Sequence, residues 1–130
     1  MFLMTKGIRV FRECNRMLPY RYYKNFPPEI YNCLLANAAC LVGNSSSFIR
    51  EGSFLGTPAV IIGDRQEGRE HGDNIMCVNN VDEEIREAVG RQIAHGKYPS
   101  QTIFGNGTAG IQIADYLAKV KLDINKRMTY

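Results

Sequence analysis

Three stretches of the chain bring together residues that can do chemistry. The first is Gly43-Asn44-Ser45-Ser46-Ser47, followed by Arg50 and Glu51. Small hydroxyl residues in this density suit a helix N-terminus, where their oxygens cap free backbone N–H groups. The same N–H groups, with the partial positive charge of the helix end, attract a phosphate. Ser45, Ser46 and Ser47 add hydroxyl donors. Glu51, about two turns further on, is spaced to accept from sugar or ribose hydroxyls. Plain capping by Asn44 or Ser45 is the alternative that needs no ligand. The second stretch runs from Gly63 to Gly72 and carries Arg65, Arg69 and His71 between glycines. Arginine binds phosphate in bidentate fashion, so the loop can close on an anion, or it can be a solvated loop with internal ion pairs. The third, Gly105-Asn106-Gly107-Thr108-Ala109-Gly110, matches G-x-G-x-x-G to the letter. A dinucleotide site needs a preceding strand and an acidic residue roughly 20 positions on; here the motif precedes the final helix, and Asp115 and Asp123 fit the spacing poorly. It reads as a flexible loop with a tight helix start.

His71 and His95 have no partner at metal-ligand spacing, and Ser45–Ser47 lack a G-x-S-x-G elbow. No metal, no cofactor and no hydrolase triad is expected.

The elements that must position these residues follow from periodicity. Residues 7–18 read as a helix through Ile8, Phe11, Cys14 and Leu18, stopped by Pro19. Arg21–Asn25 is a Tyr-rich candidate strand. Pro27 and Pro28 open a helix whose apolar side is Ile30, Tyr31, Leu34 and Leu35. Ala39–Gly43 reads as a buried strand, 48–54 as a helix ended by Gly56-Thr57-Pro58, and Ala59–Ile62 as the strongest strand. Asn74–Val78 is another. Asn80 to Ala94 is an amphipathic helix with capping-box spacing at Asn80 and Glu83 and a stripe of Ile85, Val89 and Ile93. Residues 109–121 form a last helix through Ile113, Leu117 and Val120. Strands that alternate with helices and are continuously apolar point to a parallel sheet covered on both faces. The serine stretch and the Arg65 loop then share the C-terminal edge of the sheet, where ligands bind in open α/β folds. The fold class expected is α/β, a three-layer Rossmann-like domain with a partial parallel sheet. It spans 1–124, with 125–130 as a tail. The chain opens on a helix where a doubly wound domain opens on a strand, so it reads as the back part of a nucleotide-binding domain.

Composition narrows the class. The chain has 130 residues, 45% of them hydrophobic and 22% charged, which fits a globular domain rather than a disordered or fibrous one. The net charge of +3 comes from scattered residues without the dense basic stripe of a nucleic-acid binder. No apolar run is long enough to span a bilayer. Cys14, Cys33, Cys40 and Cys77 form no CxxC pair and sit among apolar neighbours, so they read as buried, reduced thiols of a cytoplasmic protein. No secretory signal is seen, and Asn44 and Asn106 are expected to be unglycosylated.

The run CLVGNSSSFIREGSFLGTPAVIIGDRQEGREHGDNI, with KNFPPEIYNCLLANAA before it and YPSQTIFGNGTAG after it, resembles the C-terminal half of UDP-N-acetylglucosamine 2-epimerases, especially the hydrolysing type. The likeness covers residues 7–120. It implies one half of a two-domain glycosyltransferase-B arrangement. Family chemistry eliminates UDP across C1–C2 of the sugar to a glycal, to which water or UDP adds back. The resemblance implies that Ser45 and Ser46 contact the diphosphate, with Ser47 in the same motif. It also implies that Glu51 holds the ribose, Arg65 contacts phosphate and Tyr31 lies against uracil. Two positions depart: Phe48 stands where the family commonly has Gly, and Asp64 where Thr is more usual. The family's acid–base carboxylates and catalytic His fall in regions without a counterpart here. The expectation is a chain inactive alone that binds UDP or UDP-N-acetylglucosamine and works with a missing N-terminal domain or partner chain. An uncovered sheet edge also points to a homo-oligomer. A glycosyltransferase donor domain and a non-catalytic nucleotide-sugar-binding or interaction module are the rival readings.

Overall fold

The computed structural model of the chain describes residues 9–17 and 19–121, and its centre is the run Ala59–Ile62 (β2). Ala59, Val60 and Ile61 are wholly buried. A strand covered on both faces cannot alternate polar and apolar residues, which is why this one reads AVII. Leu41–Gly43 (β1) and Ile75–Val78 (β3) flank it, both parallel to it, in the order β1-β2-β3. The register pairs Leu41 with Ala59 and Ala59 with Ile75. This is the α/β class with a partial parallel sheet, as expected of a Rossmann-like domain. Leu35, Leu41, Ile49, Ile75 and Ala88 complete the core.

By its contacts the chain divides into two compact units, Met1–Tyr31 and Asn32–Tyr130. In the first, residues 9–14 are helical (α1), and Asn15 folds its side-chain amide back onto the Phe11 carbonyl at 2.8 Å. Aromatic pairs Phe11–Tyr20 (5.7 Å) and Tyr23–Phe26 (4.7 Å) organise the rest, with Arg12 over the Tyr22 ring. The strand expected at Arg21–Asn25 is not formed; that segment is irregular. Its tyrosines pair with nearby side chains instead of a neighbouring strand. Ile8, Leu18 and the expected tail at 125–130 lie outside the described residues.

The helix Pro28–Asn37 (α2) starts at its proline. Of its expected apolar side only Leu35 is buried, while Ile30 and Leu34 are about half exposed. Ser46–Leu55 (α3) joins β1 to β2 and buries Ile49, Gly52 and Ser53. It ends at Gly56, which has φ +63 and whose N–H reaches back to the Gly52 and Ser53 carbonyls. Tyr98 N–H donates to the Gly56 carbonyl at 2.8 Å. A Cβ on Gly56 would collide with the Tyr98 carbonyl oxygen, and its φ already disfavours any side chain. Gly56→Ala is therefore expected to cost about 3 kcal/mol, a fall in Tm of more than ~10 °C by circular dichroism. A melt within ~3 °C of wild type would contradict this close approach.

Asp82–His95 (α4) packs on β2 and β3. Its N-cap position is Val81, without a side-chain cap bond, so the expected Asn80–Glu83 box does not form. Glu84 instead accepts from both the N–H and the side-chain amide of Asn79 at 3.1 Å. The buried positions are Ala88 and Gln92; Ile85 and Val89 are half-buried and Ile93 is 53% exposed. The helix is thus turned from the stripe expected, for a reason that lies at the start of the sheet. Gln92 Nε2 donates to the carbonyls of Ala59 (2.9 Å) and Asn74 (2.8 Å), and its Oε1 accepts from Tyr98 Oη (2.8 Å). Asn74 in turn donates to the Thr57 carbonyl and accepts from Ser53 Oγ. Thr57 Oγ1 donates to the Leu35 carbonyl and accepts from Lys97 Nζ.

Ala109–Lys119 (α5) follows the Gly105–Gly110 loop. Gly105 (φ +120) and Gly107 (φ +87) turn the chain, and Asn106 Oδ1 accepts from the Thr108 N–H, so this loop is a helix start. α5 buries none of its residues: Ile111, Ile113, Tyr116 and Leu117 are all more than half exposed. No helix among the described residues is long and apolar enough to cross a membrane.

Candidate phosphate-binding turn

β1 ends at Gly43, where φ is +146 and the edge of the Phe48 ring lies 3.4 Å from where a Cβ would stand. Phe48 is therefore half-buried against the end of the strand. The next residues enter α3. Ser45 is its N-cap, with extended backbone, and its Oγ accepts from the Ser47 N–H at 3.4 Å and lies 2.9 Å from Ser47 Oγ. The Phe48 N–H turns tightly onto the Ser45 carbonyl at 3.2 Å. Capping thus falls to Ser45, not Asn44. All three serines are half-buried at the C-terminal end of β1. Two of the first-turn N–H groups are thus taken within the turn, by the Ser45 hydroxyl and the Ser45 carbonyl, and the turn sets a positive helix end and three hydroxyls in one place.

The loop after β2 is built on two tight turns, Glu67 N–H to the Asp64 carbonyl (2.8 Å) and Arg69 N–H to the Gln66 carbonyl (3.3 Å), with Gly68 at φ +73. Those turns leave Arg65 exposed and bury Gln66 to 6% exposure. Gln66 Nε2 donates to the Asn44 carbonyl at 2.8 Å, which ties this loop to the serine turn. Its Oε1 is buried without a hydrogen-bond partner among the described residues. A cleft of about 350 Å³ opens beyond the ends of β2 and β3, lined among others by Asp64, Gln66, Arg69, His71, Cys77 and Glu84. His71 Nδ1 lies 3.2 Å from the Gly72 carbonyl. Arg65 does not line this cleft; Arg69 does.

Glu51 sits on the outer face of α3 and is exposed. It lines a separate cleft with Asn32, Arg50, Phe54, Gln101 and Phe104. The structure thus joins the serine turn to the Arg65 loop through Gln66, and places Glu51 on the same helix but in another cleft. Tyr31, in α2, belongs to the other compact unit. The sequence marks Arg69 and His71 as members of the anion-binding loop but gives Gln66 no role. The available signal for Gln66 was its place beside Arg65 in R-Q-x-G-R.

Among the described residues no group of three or more His, Cys, Asp or Glu is placed to hold a metal. The cysteines are not buried as expected: Cys14, Cys33 and Cys77 are exposed and only Cys40 is half-buried. Burial pushes the Cys40 thiol above its ordinary value, offset in part by a backbone hydrogen bond at Val60.

The family model described as UDP-N-acetylglucosamine 2-epimerase matches residues 5–118. The chain is 33% identical over 79 residues to the UDP-N-acetylglucosamine 2-epimerase of Neisseria meningitidis serogroup B, covering 61% of this chain and 21% of that one. It is 38% identical over 65 residues to the GDP/UDP-N,N'-diacetylbacillosamine 2-epimerase (hydrolyzing) of Campylobacter jejuni, covering 48% and 17%. It is 30% identical over 95 residues to the UDP-N,N'-diacetylbacillosamine 2-epimerase (hydrolyzing) of Legionella pneumophila, covering 73% and 25%. The matched stretch is thus at most a quarter of any of these relatives, at 25% for the longest.

Proposed function

The chain belongs to the UDP-N-acetylglucosamine 2-epimerase family, and from that premise we propose that it is the UDP-binding C-terminal part of such an enzyme. The observation that carries this reading is the serine-capped start of α3 at the carboxyl end of β1, tied by Gln66 to an arginine-bearing loop. Ser45, Ser46 and Ser47 then meet the diphosphate at the helix start, and Arg65 swings in from its exposed position to share the charge. Glu51 accepts from the ribose hydroxyls. Tyr31 lies against the uracil by family resemblance.

The chemistry explains why such a turn belongs in an epimerase. When UDP leaves across C1–C2, negative charge grows on the departing phosphate. Donors at the helix start and the incoming Arg65 guanidinium stabilise that charge as it develops. Proton transfer at C2 needs carboxylates poised as acid and base. In this reading they come from a further domain or partner chain, so the 130 residues bind the nucleotide and do not turn it over.

Calorimetric titration with UDP tests the reading. Wild type is expected to bind, and Glu51→Ala to lose about tenfold in affinity as the ribose hydroxyls lose a charged acceptor. The melting temperature should not move, because Glu51 is exposed. Absence of binding in the wild type, or equal affinity in the mutant, would count against the assignment.

A further inference from the structure

We propose that Gln66 is a positioning residue for the serine turn, holding the Asn44 carbonyl so that the Arg65 loop and the first turn of α3 keep one geometry. The inference rests on the reading of that turn as the diphosphate site. Gln66 is 6% exposed, and its Nε2 reaches the Asn44 carbonyl at 2.8 Å, 22 residues away in sequence. Asn44 immediately precedes the N-cap Ser45, so the carbonyl that Gln66 grips belongs to the residue that feeds the chain into the helix. On the other side, Gln66 sits next to Arg65 and its own carbonyl accepts the Arg69 N–H, so the same residue closes the loop turn.

The orphaned oxygen decides the role. Gln66 Oε1 is buried and has no donor among the described residues. Phosphate oxygens are acceptors only, so a diphosphate cannot satisfy it. The bond that Gln66 does make, from Nε2 to the Asn44 carbonyl, is what carries its effect to the phosphate site. A buried acceptor left unmade costs roughly 1–3 kcal/mol, so a side chain that served only to fill space would be better apolar. The donor is what the position requires. Glutamate keeps the shape but sets oxygen against a carbonyl unless it is protonated, when its O–H can donate. Methionine keeps the length and donates nothing.

The test uses Gln66→Glu and Gln66→Met, with amide NMR of residues 44–47 in the ligand-free chain followed against pH. In Gln66→Glu the Ser45, Ser46 and Ser47 amide signals should be displaced near pH ~8 and return toward wild-type positions as the pH falls and the introduced carboxyl protonates. Burial shifts that midpoint above the ordinary carboxylate value of about 4.3. Asp64, Glu67, Glu84, Arg69, His71 and Cys77 line the same cleft, so the wild type is titrated in parallel to subtract them. Gln66→Met, which buries no charge, should show a displacement that does not return. UDP affinity should follow, falling about tenfold in Gln66→Met, and in Gln66→Glu at pH ~8 with recovery to within about threefold in acid. Unmoved amides in both variants, or a Gln66→Glu curve that matches the wild type, would overturn the proposal. If the wild type fails to bind UDP, the diphosphate reading falls, and the amide titration alone decides whether Gln66 positions the turn.

Discussion

Replacing Gln92 by leucine is expected to lower the melting temperature by more than ~10 °C, although it puts a hydrophobic side chain of similar size into a core helix face. Gln92 is wholly buried and ties the carbonyls of Ala59 and Asn74, at the first rungs of β2 and β3, to Tyr98. Both carbonyls keep a ladder donor, the Ala59 N–H on Asn74 and the Met76 N–H that the parallel Ala59–Ile75 register sets on Ala59, but each loses its second donor and the Tyr98 hydroxyl loses its acceptor. Three hydrogen bonds are lost at roughly 1 kcal/mol each, and the Tyr98 hydroxyl faces a leucine that cannot accept from it. A loss of about 3 kcal/mol is a large share of the 5–15 kcal/mol that holds a typical domain together. Gln92→Glu should be worse at neutral pH, because it turns the donor toward two carbonyls into an ionised oxygen. The check is thermal unfolding by circular dichroism of both variants beside the wild type. A leucine variant as stable as wild type would show that Gln92 fills space and that its three bonds contribute nothing net.

That residue also marks where sequence reading gave out. The core strand was legible because burial on both faces leaves its own signature, four apolar residues between Pro58 and Gly63. The end of α3 was legible for a similar local reason, since Gly56 is a glycine that the chain requires at φ +63. The inward face of α4 was not. Periodicity favours Ile85, Val89 and Ile93, yet Ala88 and Gln92 face the sheet, where Gln92 gives a second donor to each of the two carbonyls at the strand starts. No hydrophobicity pattern carries that information. The same holds for the site. Ser45 as a helix cap is a local property of a Gly-Asn-Ser-Ser-Ser turn, and it could be read from the turn itself. Gln66 draws its meaning from a carbonyl 22 residues away, so only the folded chain shows it. Arg21–Asn25 failed in the opposite direction. Its tyrosines suit a strand, but Tyr23 pairs with Phe26 and Arg12 stacks over Tyr22, and these side-chain contacts leave the backbone irregular.

Arg65→Glu separates the two halves of the argument, because it should leave the fold intact and remove UDP binding. Arg65 is exposed, and no hydrogen bond or ion pair to another described residue holds it, so its loss leaves no partner stranded. The melting temperature should stay within about 2 °C of wild type, as for most exposed positions free of such partners. The binding consequence is of another order. A guanidinium on a phosphate is a charge-assisted contact worth roughly 1.5–3 kcal/mol, and a carboxylate in its place adds repulsion toward two phosphates. Together these predict a fall in UDP affinity of about 100-fold or more. Arg65→Lys should recover part of the loss, since it restores the charge without the bidentate fork. Wild-type affinity should also weaken as salt is raised across the physiological range, and the reversed variant should show little salt dependence of that sign. If Arg65→Glu binds UDP as tightly as wild type, the phosphate charge is met by another residue. Arg69, which lines the cleft that Arg65 leaves, is then the residue to reverse next. If binding falls together with the melting temperature, Arg65 supports the loop itself and the exposed position misleads. Only the first pattern, a stable chain that has lost its nucleotide, fits a loop that closes over the diphosphate held at the serine turn.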